Sequence, residues 1–167
     1  DLHRRRHSFP TRRSSDLFNL GTHPAFMASE FPVTDYYLEF SEPETLDLYT
    51  LVGLTVAKET KPFLKNEKVI KITEDLFKDD ALVFKGHKSE YLSLKNINNS
   101  EEVKVSLKDF TWLGIWAPPG APFVCLEPWC GVADMEDHNG DLTKKEAVNK
   151  LDKGGSFKRV MEIIVNK

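Results

Sequence analysis

The chain reads as an all-β protein, an antiparallel β-sandwich, and three observations point there. Short apolar or alternating runs recur about every ten residues, the spacing of sandwiches and barrels rather than of βαβ units. One of them alternates cleanly: Val103, Val105 and Leu107 face one way, while Glu102, Lys104, Ser106 and Lys108 face the other, as in a half-buried antiparallel strand. Helical periodicity is confined to two short segments, 73–77 and 143–151.

In chain order the expected strands are 36–40, 46–52, 69–72, 81–85, 91–95, 103–107, 113–116, 123–127 and 157–165. Asn66 and Glu67 give a tight-turn signal between Phe63/Leu64 and Val69/Ile70, and 96–100 (NINNS) is a polar turn. Pro118, Pro119, Gly120 and Pro122 form a stiff loop, after which Phe123, Val124, Cys125 and Leu126 read as a buried strand ending at Pro128. The segment 143–151 opens on Thr143 with Glu146 three residues on, a capping-box arrangement that predicts a helix.

Composition bounds the function classes. With 167 residues, 40% hydrophobic and 29% charged, the chain can bury a core, and a net charge of -3 gives no general affinity for nucleic acid. No run approaches the roughly 18 apolar residues of a membrane helix, and no signal peptide is visible, so no membrane partner is expected. Cys125 and Cys130 have neither redox-pair nor zinc-ribbon spacing and read as buried thiols in a reducing, cytoplasmic setting.

The first residues differ from the rest. Of the six arginines, Arg4, Arg5, Arg6, Arg12 and Arg13 lie in the first thirteen residues and only Arg159 lies beyond, where lysine takes over. Such a head could be a basic arm for nucleic acid or a disordered tail. Residues 7–17, HSFPTRRSSDL, instead resemble a peptide produced when sequencing-adapter DNA is translated at a contig end. The expected organisation is therefore an artefactual head over 1–17 and a β-sandwich domain over 18–167 that lacks its own N-terminal part.

One acidic residue stands out. Glu127 lies between apolar neighbours and beside Trp129, where burial forces a carboxylate to shift its pKa or find hydrogen bonds. Shifted carboxylates are the usual material of acid/base catalysis. His23, in GTHPAF, is held on a stiff loop by Pro24, and histidine is the side chain suited to donating a proton near neutrality. Asp79 and Asp80 precede a strand. Trp129, Phe26, Trp116 and Phe123 could form the aromatic wall on which the C–H faces of a sugar pack, although aromatics are more often core. The acidic loop at 134–141 lacks calcium-loop spacing, with Val148 where a glutamate would be needed, and His87 and His138 have no second ligand at usable spacing, so no metal site is expected.

Three segments, FNLGTHPAF at 18–26, LFKDDALVFK at 76–85 and LGIWAPPGAPFVCLEPWCGVAD at 113–134, resemble the aldose 1-epimerase (galactose mutarotase) family, in particular its LacX-like branch. The resemblance extends from Phe18 to the C-terminus and implies a large antiparallel β-sandwich that interconverts the α and β anomers of a free hexose, such as galactose or glucose, without a cofactor. It implies Glu127 as base and His23 as acid, with Asp80, or else Asp79, holding sugar hydroxyls and Trp129 or Phe26 lining the pocket. Family members also use an arginine and a further histidine from the first half of the sandwich. Nothing in the body of this chain occupies those places, so a divided site with weak or no activity is expected. A non-catalytic carbohydrate-binding module is the main alternative, and a glycoside hydrolase using Glu127 with Asp80 would need the two carboxylates about 5–10 Å apart.

Overall fold

The computed structural model describes residues 15–28 and 31–166. Among them the only helical segments are two single 3₁₀ turns, Val33–Asp35 and Leu142–Lys144; the rest is strand, turn and loop, so the expected all-β antiparallel fold is the one observed. No helix among the described residues is long and apolar enough to cross a membrane.

The strands are β1 (Ser15–Phe18), β2 (Ala25–Met27), β3 (Tyr36–Val52), β4 (Thr55–Lys71), β5 (Leu82–Lys85), β6 (Tyr91–Asn96), β7 (Glu102–Ser106), β8 (Trp112–Trp116), β9 (Phe123–Trp129), β10 (Asn149–Asp152) and β11 (Ile163–Asn166). Nine of them form one antiparallel sheet in the order β11-β7-β6-β3-β5-β8-β9-β2, with β4 paired to β3, while β1 and β10 form a separate ribbon. The long β3 carries the sheet from one half to the other: its first residues pair with β6, and Tyr49 near its end pairs with Val83 of β5.

The sheet curls around one apolar core. Leu38 and Phe40 of β3, Leu92 and Leu94 of β6, Phe84 of β5, Leu113 and Ile115 of β8, and Val124 and Leu126 of β9 all lie on the face turned into it. At roughly 25 cal/mol per Å² of apolar surface, each such side chain contributes about 1.5–3 kcal/mol, the main reason the strands hold together. On the opposite face a smaller cluster forms around Val56, Val83, Trp112 and Val132, with Trp129 and Tyr49 against it. Strand alternation places every second residue of β9, namely Cys125, Glu127 and Trp129, on this second face.

Several expected boundaries change. Segments 36–40 and 46–52 are one 17-residue strand, and Asn66 is not a turn. Thr45 pairs with Lys65 and Glu44 with Glu67, so Asn66 is the extra residue of a β-bulge, left-handed at φ 57° and tied by its N–H to Thr45 Oγ1 at 3.0 Å. The real turn is at Gly53 and Leu54. Segment 73–77 makes successive i to i+3 turns instead of a helix. The helix expected at 143–151 is a 3₁₀ turn capped by Asp141; Ala147 is left-handed, Glu146 pairs with Lys85 at 2.8 Å, and the last residues of the segment join β10. The strand expected at 157–165 is reduced to Ile163–Asn166, since Phe157 packs edge-on against Phe18 and Arg159 binds Asp109 O. β9 continues through Pro128, which pairs with Leu113, so Glu127 lies within a strand and not at its end.

Residues 1–14 of the arginine-rich head lie outside the described residues. The remaining part of the 1–17 segment, Ser15 to Leu17, belongs to β1 and pairs with Asp152, Leu151 and Lys150 of β10.

Candidate functional site

Glu127 and His23 come from opposite ends of the described chain and meet on the second face of the sheet. The segment from Leu20 to Ala28 runs antiparallel to β9: Cys130 N–H bonds Leu20 O, Thr22 N–H bonds Pro128 O, Leu126 N–H bonds Pro24 O and Ala28 N–H bonds Pro122 O. The ladder sets His23 opposite Glu127, with the imidazole Nε2 3.3 Å from Glu127 Oε1. Pro24 stiffens the backbone next to the histidine, as the sequence suggests. The His23 side chain is 62% exposed and the Glu127 side chain 4%, so the imidazole stands at the mouth and the carboxylate behind it.

Burial is the dominant influence on Glu127 and raises its pKa, opposed by the His23 charge and by the Trp129 indole N–H. The indole itself lies across the backbone. A β-carbon on Gly21 would stand 2.6 Å from Trp129 Cδ1 and one on Gly114 would stand 2.4 Å from Trp129 Cη2, so two glycines on the flanking segments give the ring its bed. Gly114 pairs with both Glu127 and Val83, which completes a row across β5, β8 and β9 that His23 extends.

Cys125 belongs to the same site. Its thiol, the Glu127 carboxylate and a His23 ring nitrogen lie within 4.8 Å of one another. Burial, and then the Glu127 charge, raise the Cys125 pKa. Both cysteines are free and buried, as expected of structural thiols, yet Cys125 faces the candidate site. The signal was present in the sequence: Cys125, Glu127 and Trp129 share the parity of one strand.

The other expected residues are placed differently. Phe26 pairs with Val124 and packs against the main core, so its ring is on the face away from Glu127. Asp79 and Asp80 are exposed at the entry to β5, and Asp80, left-handed at φ 92°, accepts the Ala81 N–H on its own carboxylate at 2.7 Å. Ala81 is two strands across and two residues along from Glu127, roughly 12 Å by standard sheet spacings. Trp116 packs against the main core. A recess of about 500 Å³ lined by Phe31, Ile72, Phe77 and the 117–122 loop shares no residue with the His23 and Glu127 site. In the acidic loop, Asp134 pairs with Lys145, Asp137 with Lys58, and Asp141 caps Thr143.

No protein-family model matches the chain. Among curated proteins it is 31% identical over 139 residues to Protein LacX of Lactococcus lactis subsp. lactis, in both the plasmid and chromosomal forms, covering 79% of this chain and 46% of LacX. Among solved structures it superposes on a galactose mutarotase related enzyme from Lactobacillus acidophilus with a TM-score of 0.82 and 28% identity, covering 92% of this chain and 53% of that one. A galactose mutarotase-like protein from Lactobacillus casei gives a TM-score of 0.80 at 21% identity, over 91% of this chain and 54% of its own. The chain thus spans about half the length of the relatives it matches. In sequence it is similar to the LacX proteins, and in fold it shares the antiparallel β-architecture of galactose mutarotase-like proteins.

Proposed function

We propose that this chain carries part of an aldose 1-epimerase site of the LacX-like kind and that Glu127 and His23 interconvert the α and β anomers of a free hexose. The single observation that carries the reading is the 3.3 Å approach of an exposed imidazole to a buried carboxylate. In a cyclic sugar the C1 hydroxyl and the ring oxygen share one carbon, so a base for one and an acid for the other must converge on a small volume. Glu127 takes the C1 hydroxyl proton while protonated His23 donates to the ring oxygen, and the ring opens to the aldehyde. Rotation about C1–C2 presents the other face, and reclosure with the proton transfers reversed gives the other anomer. No covalent intermediate and no cofactor enter the scheme.

The raised pKa of Glu127 fits the role, because a carboxylate made more basic by burial abstracts a proton more readily. Trp129 supplies a flat apolar surface beside the carboxylate, on which a sugar C–H face packs. Asp80 holds a hydroxyl on the far side of the ring, with Asp79 as the less favourable choice. The similarity to LacX proteins and to a galactose mutarotase related enzyme supports a carbohydrate-directed, isomerase-type reading. The hydrolase alternative is weaker, since the titratable partner of Glu127 is an imidazole and not a second carboxylate.

Polarimetry of freshly dissolved α-glucose or α-galactose tests the proposal. The Glu127→Gln chain is expected to lose about 10²–10⁴-fold in mutarotation rate while still binding sugar. In a carbohydrate-binding module Glu127→Gln would change only the affinity for sugar, and a wild-type rate near that of the full-length relatives would show that the residues present suffice for catalysis.

A further inference from the structure

We propose that His23, Cys125 and Glu127 form a binding site for a zinc-class divalent transition-metal ion. The three donors are an imidazole nitrogen, a sulfur and a carboxylate oxygen, all within 4.8 Å of one another. That donor set is one that borderline metals such as zinc and cobalt accept, and magnesium or calcium, which prefer oxygen alone, do not. The His23 to Glu127 spacing agrees with coordination. Ligands about 2.0–2.2 Å from a tetrahedral metal stand about 3.4 Å from each other, and His23 Nε2 to Glu127 Oε1 is 3.3 Å.

The backbone holds the donors in place. Cys125 and Glu127 project from the same face of β9, two residues apart, and the β9 ladder fixes His23 opposite Glu127. Cys125 is 2% exposed and Glu127 3%. His23 stands 62% exposed in front of them, so an ion enters from the imidazole side and meets the two buried donors behind. Three protein ligands leave the fourth tetrahedral position to water, as in open zinc sites.

Binding balances as the ion plus the Cys125 thiol giving a metal thiolate and a proton released to solvent, together with any proton the ion displaces from the His23 ring nitrogen or the Glu127 carboxylate, with no change of oxidation state. The site does not depend on the sugar reading. If that reading holds, the ion occupies the lone pairs that proton transfer needs, so metal occupancy and mutarotation exclude each other.

Cobalt(II) titration of the full chain, kept reduced with a non-thiol reductant, tests the site by absorption. The expected result is a single equivalent bound, with a thiolate-to-cobalt charge-transfer band and the strong visible bands of tetrahedral cobalt. Cys130→Ser keeps the charge-transfer band and Cys125→Ser abolishes it. His23→Ala, a change at an exposed side chain that leaves the core intact, weakens cobalt binding at least about 10-fold, the lower end of what loss of an outer-shell partner alone costs. Zinc competes the spectrum away. A chain that binds no cobalt, a band that survives Cys125→Ser, or an affinity unchanged in His23→Ala would each overturn the proposal. These readouts are independent of turnover, so a chain that neither binds sugar nor speeds mutarotation but is positive for cobalt would remove the sugar reading and leave the metal site standing.

Discussion

Gly114 lies beneath the benzo edge of the Trp129 indole, so close that a β-carbon on residue 114 would stand 2.4 Å from both Cη2 and Cζ2. No real β-carbon tolerates that distance, and the ring has little room to yield because its other edge rests on Gly21. Gly114→Ala is therefore expected to tilt the indole off the sheet. The cost is about 1–3 kcal/mol of stability, typical of overpacking, read by urea unfolding. Because the indole N–H faces Glu127, the same variant should lose activity even where it is fully folded. Gly21→Ala acts from the other edge. If either variant matches the wild type in both stability and rate, the indole is not the clamped wall described.

How far the sequence could be read depended on whether a signal was local. The strands β6, β7 and β8 were legible because their alternation and flanking turns lie within a few residues. β1, β2 and β10 were not, since short strands such as AFM are defined by the partner they find, here Cys125, Val124 and Phe123, about a hundred positions away. The helix at 143–151 failed for a related reason: Thr143 and Glu146 make a good local cap, but Asp141 caps the turn and Lys85 attracts Glu146. Glu127 and His23 were legible as chemically unusual residues, and only the fold shows that they touch. Cys125 read as an inert thiol because its neighbours in space, His23 and Glu127, differ from its neighbours in sequence.

The bulge in the β3–β4 hairpin rests on a left-handed residue. Asn66 is at φ 57°, a conformation that costs most residues about 1–2 kcal/mol and glycine little. Asn66→Gly should be close to neutral. Asn66→Val should destabilise by at least about 1 kcal/mol, since a β-branched side chain tolerates that conformation worst. Thermal unfolding of the pair checks this. Equal melting temperatures would mean that the long β3–β4 hairpin relaxes its register at no cost.

Glu44 is a fully buried carboxylate away from the candidate site, and it organises the approach to β6. Its Oε1 accepts the N–H groups of Lys88 at 2.8 Å and Ser89 at 2.7 Å, while the Ser89 hydroxyl in turn receives the Glu42 N–H at 3.0 Å. Removing the acceptor strands two backbone donors. Glu44→Ala should cost about 2–4 kcal/mol, and Glu44→Gln less, because its amide oxygen can still accept. Mutarotation in the folded fraction should be unaffected, which separates this structural acid from Glu127.

Next to Glu44, His87 makes stability depend on pH. Both of its ring nitrogens are buried without a hydrogen-bond partner, and burial lowers its pKa from 6.5, with the Glu44 charge and the nearby backbone of Ser89 and Phe110 pulling the other way. The unfolded chain therefore takes up a proton at a pH where the folded chain resists it. By linkage, the contribution of neutral His87 is complete above pH 6.5 and is lost as pH falls through 6.5 toward the lower folded value. The surface carboxylates Asp134, Asp137 and Asp141, whose pKa values are lowered by Lys145, Lys58 and Thr143 respectively, lose their contributions only at more acidic pH. As pH falls below 6.5, the wild type should lose more stability than His87→Gln, whose side chain does not charge. Urea unfolding of both proteins across that window measures the difference, and parallel curves would show that the imidazole is not held neutral by its burial.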